Sequence, residues 1–120
     1  DALVGIALFL SYISKVNLSV KQIKSLLPTY HMIKHKILID KHKSFDFHIF
    51  IDYKVQFCQN NDLNYRLIDG IKIYYACGSW SHIRKSNTEP LIRLIIESKT
   101  KERALEIKST IINEINMLNT

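Results

Sequence analysis

The sequence is short of the residues that staple small secreted or metal-built domains. It has two cysteines in 120 residues, Cys58 and Cys77. Their number excludes a disulfide-dense scaffold, and their spacing is not that of a zinc ribbon. Free thiols in a reducing, cytoplasmic compartment are the expected state. Metal ligands are equally sparse. His31 and His35 stand four residues apart, but no Glu takes the base position of a zinc-protease motif and no third ligand accompanies them. His42, His48 and His82 have no ligand constellation either. A run long enough to cross a bilayer is also missing. Asp1 to Ile13 is apolar, yet too short to span comfortably, without a basic leader and without a small-residue cleavage site after it. Finally, there is no concentrated basic helix and no aromatic ladder. Lys and Arg number 17 against 11 Asp and Glu, a net charge of +6, but they are spread over several segments. The charge favours an anionic partner without the pattern of a nucleic-acid groove.

What is present suits one small globular domain. The hydrophobic fraction is 47%, enough for a real core. The opening apolar stretch is expected to be a helix packing on more than one face. Ser19 caps a second, short helix in which Val20, Ile23, Leu26 and Leu27 recur at helical spacing, and Pro28 ends it. Met32 to Ile39 reads as a strand and Asp40 to Ser44 as a polar turn. Residues 45–57 satisfy two periodicities. Phe45, Phe47, Ile49, Ile51, Tyr53, Val55 and Phe57 alternate as in a strand. Phe47, Phe50, Ile51, Val55 and Cys58 also form a helical stripe, with Ser44 as a plausible cap. Periodicity alone leaves this open.

The remainder reads more simply. Leu63 to Ile68 is a strand, and Asp69-Gly70 a tight hairpin turn. Ile71, Ile73 and Tyr75 share one face of the next strand, with Lys72 and Tyr74 opposite. Cys77-Gly78 turns the chain again, and Trp80 anchors the strand that follows by packing. In the last strand Ile92, Leu94 and Ile96 face inward, while Leu91, Arg93, Ile95 and Glu97 face outward. Thr100 caps a final helix whose apolar stripe is Ala104, Ile107, Ile111, Ile115 and Leu118. The fold expected is α+β, a small antiparallel sheet covered by helices on one face.

Between the last two strands lies Arg84-Lys85-Ser86-Asn87-Thr88-Glu89-Pro90. Its chemistry suits an anion. Arg84 offers a planar fork of donors that can grip two phosphate oxygens. Ser86 and Thr88 add hydroxyls. Asn87 tolerates a left-handed backbone, which would turn nearby N–H groups inward as a nest. The plain alternative is a polar turn with a solvated Arg.

This stretch resembles the phosphate-binding loop of the phosphohexomutase superfamily, the phosphoglucomutases and phosphomannomutases. The usual form there is Arg-Pro-Ser-Gly-Thr-Glu-Pro, with Arg-x-Ser-Asn-Thr-x-Pro as a variant. Asp69-Gly70-Ile71-Lys72, Gly78-Ser79-Trp80 and the Arg93 to Glu97 strand also match its surroundings. Lys85 stands where Pro is common, and Asn87 where Gly is common. Neither change removes a phosphate donor.

The resemblance implies a C-terminal domain over residues 31–120, preceded by a helical remnant and linker of the previous domain over 1–30. It also implies a helix rather than a strand over 45–57. It implies a parent enzyme that moves a phosphoryl group between C1 and C6 of a hexose, with hexose phosphate and hexose bisphosphate as ligands and the remaining domains as partners. Arg84, Ser86, Asn87 and Thr88 would hold the distal phosphate, Lys85 would contribute less, and Glu89 would brace the loop. The catalytic serine and the magnesium loop have no counterpart in these residues. The isolated chain is therefore expected to be inactive, with no metal of its own, no nucleic acid and no membrane. Two other classes compete with this reading: a basic nucleic-acid-binding module, and a non-catalytic structural or interaction domain.

Overall fold

The computed structural model describes residues 1–39 and 45–118. The elements run α1 (Ala2–Val16), α2 (Val20–Leu26), β1 (His31–Leu38), α3 (Phe47–Asn60), β2 (Asn64–Arg66), β3 (Ile71–Tyr74), a 3-10 turn (Ala76–Gly78), β4 (Trp80–Lys85), β5 (Leu91–Ser98) and α4 (Lys101–Leu118). The strands form one antiparallel sheet in the order β1-β5-β4-β3-β2. This is the α+β arrangement that the alternating patterns predict.

The three inner strands, β3, β4 and β5, bury one face of their pleat. Ile71 and Ile73 on β3, Ile83 on β4, and Ile92, Leu94 and Ile96 on β5 are fully or almost fully buried. They form one core with Phe50 and Cys58 of α3 and with Ala104, Ile107, Ile111 and Ile115 of α4. Leu118 packs at the edge of this cluster. Full burial of one such aliphatic side chain stabilises by about 1.5–3 kcal/mol relative to leaving it in water. Thr100 caps α4 as expected: its Oγ1 accepts from the Arg103 N–H at 3.3 Å, and its carbonyl accepts from Ala104 at 3.2 Å.

The ambiguous segment is a helix. Asp46 caps α3, its Oδ1 accepting from the N–H groups of His48 at 2.8 Å and Ile49 at 3.4 Å. Two orphan donors are thereby satisfied at the point where a strand would need ladder partners. The expected cap, Ser44, and the expected turn from Asp40 lie outside the described residues. The buried stripe is Phe50, Lys54 and Cys58, spaced four apart. A lysine at its centre was not expected. Its Nζ donates to Glu114 of α4, at 2.9 and 3.1 Å to the two carboxylate oxygens, and sits 4.3 Å from the centre of the Phe57 ring. Burial also pushes the Cys58 thiol up from its ordinary value, opposed in part by Lys54.

The first two helices stand apart from this core. α1 has no buried residue, and Leu3 is 74% exposed. Ser19 caps α2 in a reciprocal box with Gln22. Only Ile23 of its apolar stripe is buried, while Val20, Leu26 and Leu27 are exposed. The two helices meet at an angle of 91°, and no single described helix is long and apolar enough to cross a membrane. The projecting arm gives a radius of gyration of 18.3 Å, against about 14 Å for a compact chain of this size.

Candidate functional site

The candidate loop starts inside the sheet rather than between strands. Arg84 and Lys85 are the last residues of β4, and Leu91 is the first of β5. The connection proper is therefore Ser86 to Pro90. It is held at both ends by backbone bonds. Ser86 N–H donates to Leu91 O at 2.9 Å, Leu91 N–H to Glu89 O at 2.8 Å, and Ile39 N–H to Pro90 O at 3.0 Å. Ser86 is buried, whereas Lys85, Asn87, Thr88 and Glu89 are exposed. Of the three candidate ligands on this short, tethered turn, Asn87 and Thr88 are therefore open to solvent and Ser86 is not.

The left-handed residue expected at Asn87 is elsewhere. Among the described non-glycine residues, positive φ occurs at Asn17, Asp62, Asp69 and Cys77. Asp69, at φ 50°, is followed by Gly70 at φ 95°. These two form the left-handed corner of the β2–β3 hairpin, and this corner leans on β4. A Cβ on Gly70 would lie 2.1 Å from Ile83 O and 2.9 Å from the Arg84 Cα, so only glycine lets the backbones come this close. The contact brings the Asp69 carboxylate to Arg84, with Nη1 to Oδ2 at 2.7 Å. His82 Nε2 lies 2.9 Å from the Asp69 carbonyl oxygen.

Register then assembles a row of cations on the outer face of the sheet. Arg84 pairs directly with Arg93 across β4 and β5, and Arg93 pairs with Lys36 across β5 and β1. Like charges facing each other across strands repel. Glu89 offsets part of this, its Oε2 lying 3.5 Å from Arg93 Nη2 and 4.0 Å from Lys36 Nζ. Arg93 Nε is buried and, alone among buried side-chain nitrogens and oxygens of the described residues, has no hydrogen-bond partner. A buried, unsatisfied donor asks for an acceptor. A cleft of about 350 Å³ opens there, lined by Lys34, His35, Lys36, Arg84, Arg93, Leu94 and Ile95. Burial, and then the nearby Lys108, lowers the His35 pKa from its ordinary value, which favours the neutral ring.

A second cleft of about 350 Å³ lies on the helix-covered face, over Lys54, Tyr75 and Arg103. Its polar groups are already engaged. Lys54 is bound to Glu114, the Tyr75 hydroxyl lies 2.9 Å from Ser81 Oγ, and Arg103 Nη1 donates to Glu106 at 2.8 Å. In the outer-face cleft, by contrast, the cations Lys34, Lys36, Arg84 and Arg93 outnumber the carboxylates Asp69 and Glu89 that meet them.

Two other expectations can be placed. Trp80 is half-buried, donates Nε1–H to Glu97 at 3.0 Å, and carries Lys72 Nζ at 3.9 Å from its ring centre. It is packed on strand neighbours, as expected of an anchor. His31 and His35 lie on strand β1 rather than a helix, and no group of three or more His, Cys, Asp or Glu among the described residues gathers as a metal site. What the loop motif did not reveal is Arg93, Lys36 and Asp69. Alternation puts Arg93 and Lys36 on outward faces, but only strand register makes them neighbours of Arg84.

Residues 41–114 match the family described as phosphoglucomutase/phosphomannomutase, C-terminal domain, and the chain belongs to it. A probable phosphoglucosamine mutase of Methanothermobacter thermautotrophicus is 47% identical over 49 residues, which is 41% of this chain and 10% of that protein. A phosphoglucosamine/phosphogalactosamine mutase of Sulfurisphaera tokodaii is 25% identical over 118 residues, 98% of this chain and 24% of that protein. The chain thus matches about a quarter or less of the length of these relatives.

Proposed function

We propose that this chain supplies the distal-phosphate clamp of a mutase that moves a phosphoryl group between C1 and C6 of a hexose. The observation that carries the reading is the row Arg84–Arg93–Lys36 beside the Ser86–Thr88 turn, with the unpartnered Arg93 Nε at its centre. Arg84 and Arg93 grip the phosphate through charge-assisted hydrogen bonds. Ser86, Asn87 and Thr88 close the site with hydroxyl, amide and backbone donors. Lys36 and Lys85 add attraction at longer range. Holding one phosphate fixes the far end of the sugar for reaction, so the clamp acts on transfer through orientation. The names of the two relatives favour an amino-sugar phosphate as ligand.

The nucleophile and the metal belong, on this reading, to other parts of a larger enzyme. By itself the chain binds and does not turn over. Residues 1–30 are the end of the preceding domain, and the exposed apolar sides of α1 meet that domain. This is supported by the absence of any buried residue in α1 and by the alignment with a relative about four times as long. A cytoplasmic setting goes with the two unpaired thiols.

The test is Arg84→Lys, which keeps the charge and loses the two-pronged fork. Glucosamine 6-phosphate titrated into the isotope-labelled chain, followed by NMR, gives the affinity. The loss expected is about 1.5–3 kcal/mol, or one to two decades. In an enzyme carrying this domain, kcat/KM is expected to fall alongside. Unchanged affinity in Arg84→Lys, with the fold intact by circular dichroism, would remove Arg84 from the clamp.

A further inference from the structure

We propose that Asp69 is a positioning residue for Arg84: it holds one edge of the guanidinium so that the remaining donors face the phosphate. The inference rests on the phosphate-clamp reading and goes beyond the loop itself. Its basis is a chain of contacts that begins 14 residues before the loop motif, at Gly70. The close approach of Gly70 to Ile83 and Arg84 sets where the hairpin corner sits. His82 Nε2, 2.9 Å from the Asp69 carbonyl, tethers the same corner one residue pair further down β4. The Asp69 carboxylate then meets Arg84 Nη1 at 2.7 Å. Arg84 faces Arg93 directly across the ladder. Without a counter-charge on its far side, mutual repulsion would turn the Arg84 side chain outward. Asp69 supplies that counter-charge from the side away from Arg93. It engages Nη1 through one oxygen, which leaves the other guanidinium nitrogens for a ligand.

The sign of the effect separates this from a simpler electrostatic account. A carboxylate beside an anion site repels the anion, so removing its charge should tighten binding. A positioning carboxylate does the opposite: its removal frees a long side chain that must then be ordered on binding. Asp69→Asn tests this cleanly, since Asn accepts the left-handed backbone of this corner. The probes are inorganic phosphate and glucosamine 6-phosphate, titrated into the full chain by NMR. Asp69→Asn is expected to weaken glucosamine 6-phosphate about two- to tenfold. The same substitution in an Arg84→Lys background should change affinity by less than about twofold, because the two effects are coupled through one side chain. Relaxation of the Arg84 Nε–H signal without ligand should show a more mobile guanidinium in Asp69→Asn.

Tighter or unchanged binding in Asp69→Asn overturns the proposal, as does additivity with Arg84→Lys. If the parent chain binds neither probe, the clamp reading fails, and the Arg84 Nε–H relaxation still decides the role of Asp69. Unchanged mobility there overturns the positioning role; increased mobility sustains it. A merely structural Asp69 would lower the melting temperature and leave the Arg84 signal as it is.

Discussion

The two faces of the sheet each carry a short ion pair, and the pairs do different things. On the helix-covered face, Lys54 and Glu114 meet at 2.9 Å with side chains 2% and 11% exposed. On the outer face, Arg84 and Asp69 meet at 2.7 Å with side chains 36% and 54% exposed. Distance does not distinguish them; solvent does. Both partners of the first pair have left water, so losing either strands the other as a buried charge. Both partners of the second remain partly hydrated, so their attraction adds little to stability and Arg84 keeps donors free for a ligand. The covered face uses charge to join α3 to α4, while the outer face keeps charge available.

The sharpest way to break this comparison is to remove one acid from each face. Glu114→Ala should lower unfolding stability by about 3–5 kcal/mol, read as a shift of the denaturant midpoint. Asp69→Asn should shift it by about 1 kcal/mol or less. Equal effects would mean that burial does not separate the pairs. Lys54→Met combined with Glu114→Leu should recover most of the loss, because a well-packed apolar pair replaces a buried ionic one at little penalty.

A smaller effect comes from Tyr75, also on the covered side. Burial raises its pKa from 10.0 to about 12, with the Ser81 hydrogen bond opposing in part. The folded state therefore holds this proton more tightly than the unfolded chain. Stability from this group is whole below pH 10 and is lost as pH rises from about 10 to about 12. The amount at stake is about 2–3 kcal/mol. Alkaline titration of chemical unfolding should show the loss, and Tyr75→Phe should flatten that part of the profile. An unchanged profile in Tyr75→Phe would assign the alkaline loss elsewhere. The smallest effect is expected at Lys85, the exposed last residue of β4. Lys85→Ala should weaken glucosamine 6-phosphate binding by about 1 kcal/mol or less, as expected of a charge acting without a fixed contact. A loss as large as that of Arg84→Lys would move Lys85 into the clamp.

Much of this was legible in the chain because it is local. Alternating Ile residues in β3 and β5 describe a one-sided strand wherever they occur. The α4 stripe and its Thr100 cap lie within single turns of helix. The Arg-x-Ser-Asn-Thr-x-Pro spacing is contiguous. The segment over 45–57 was not legible from periodicity, since its aromatic residues fit two periods. Asp46 and the packing against α4 select the helix. Lys54 was unreadable for a related reason: a lysine inside an apolar stripe looks like an exposed break until its acid partner is known, and Glu114 lies 60 positions later.

By itself, then, the amino-acid order determined the strand faces, the last helix, the polar turn after β4 and the presence of a guanidinium at its threshold. Tertiary structure alone decided that Arg84, Arg93 and Lys36 stand in one row, that Arg93 Nε is left without a partner, that Asp69 reaches Arg84 and that α1 has no buried residue. The reason is the geometry of pairing. A period of two tells which way a side chain points, but a neighbour across a strand is set by register. Register depends on where hairpin corners sit, and here one corner is placed by a glycine with no room for a Cβ.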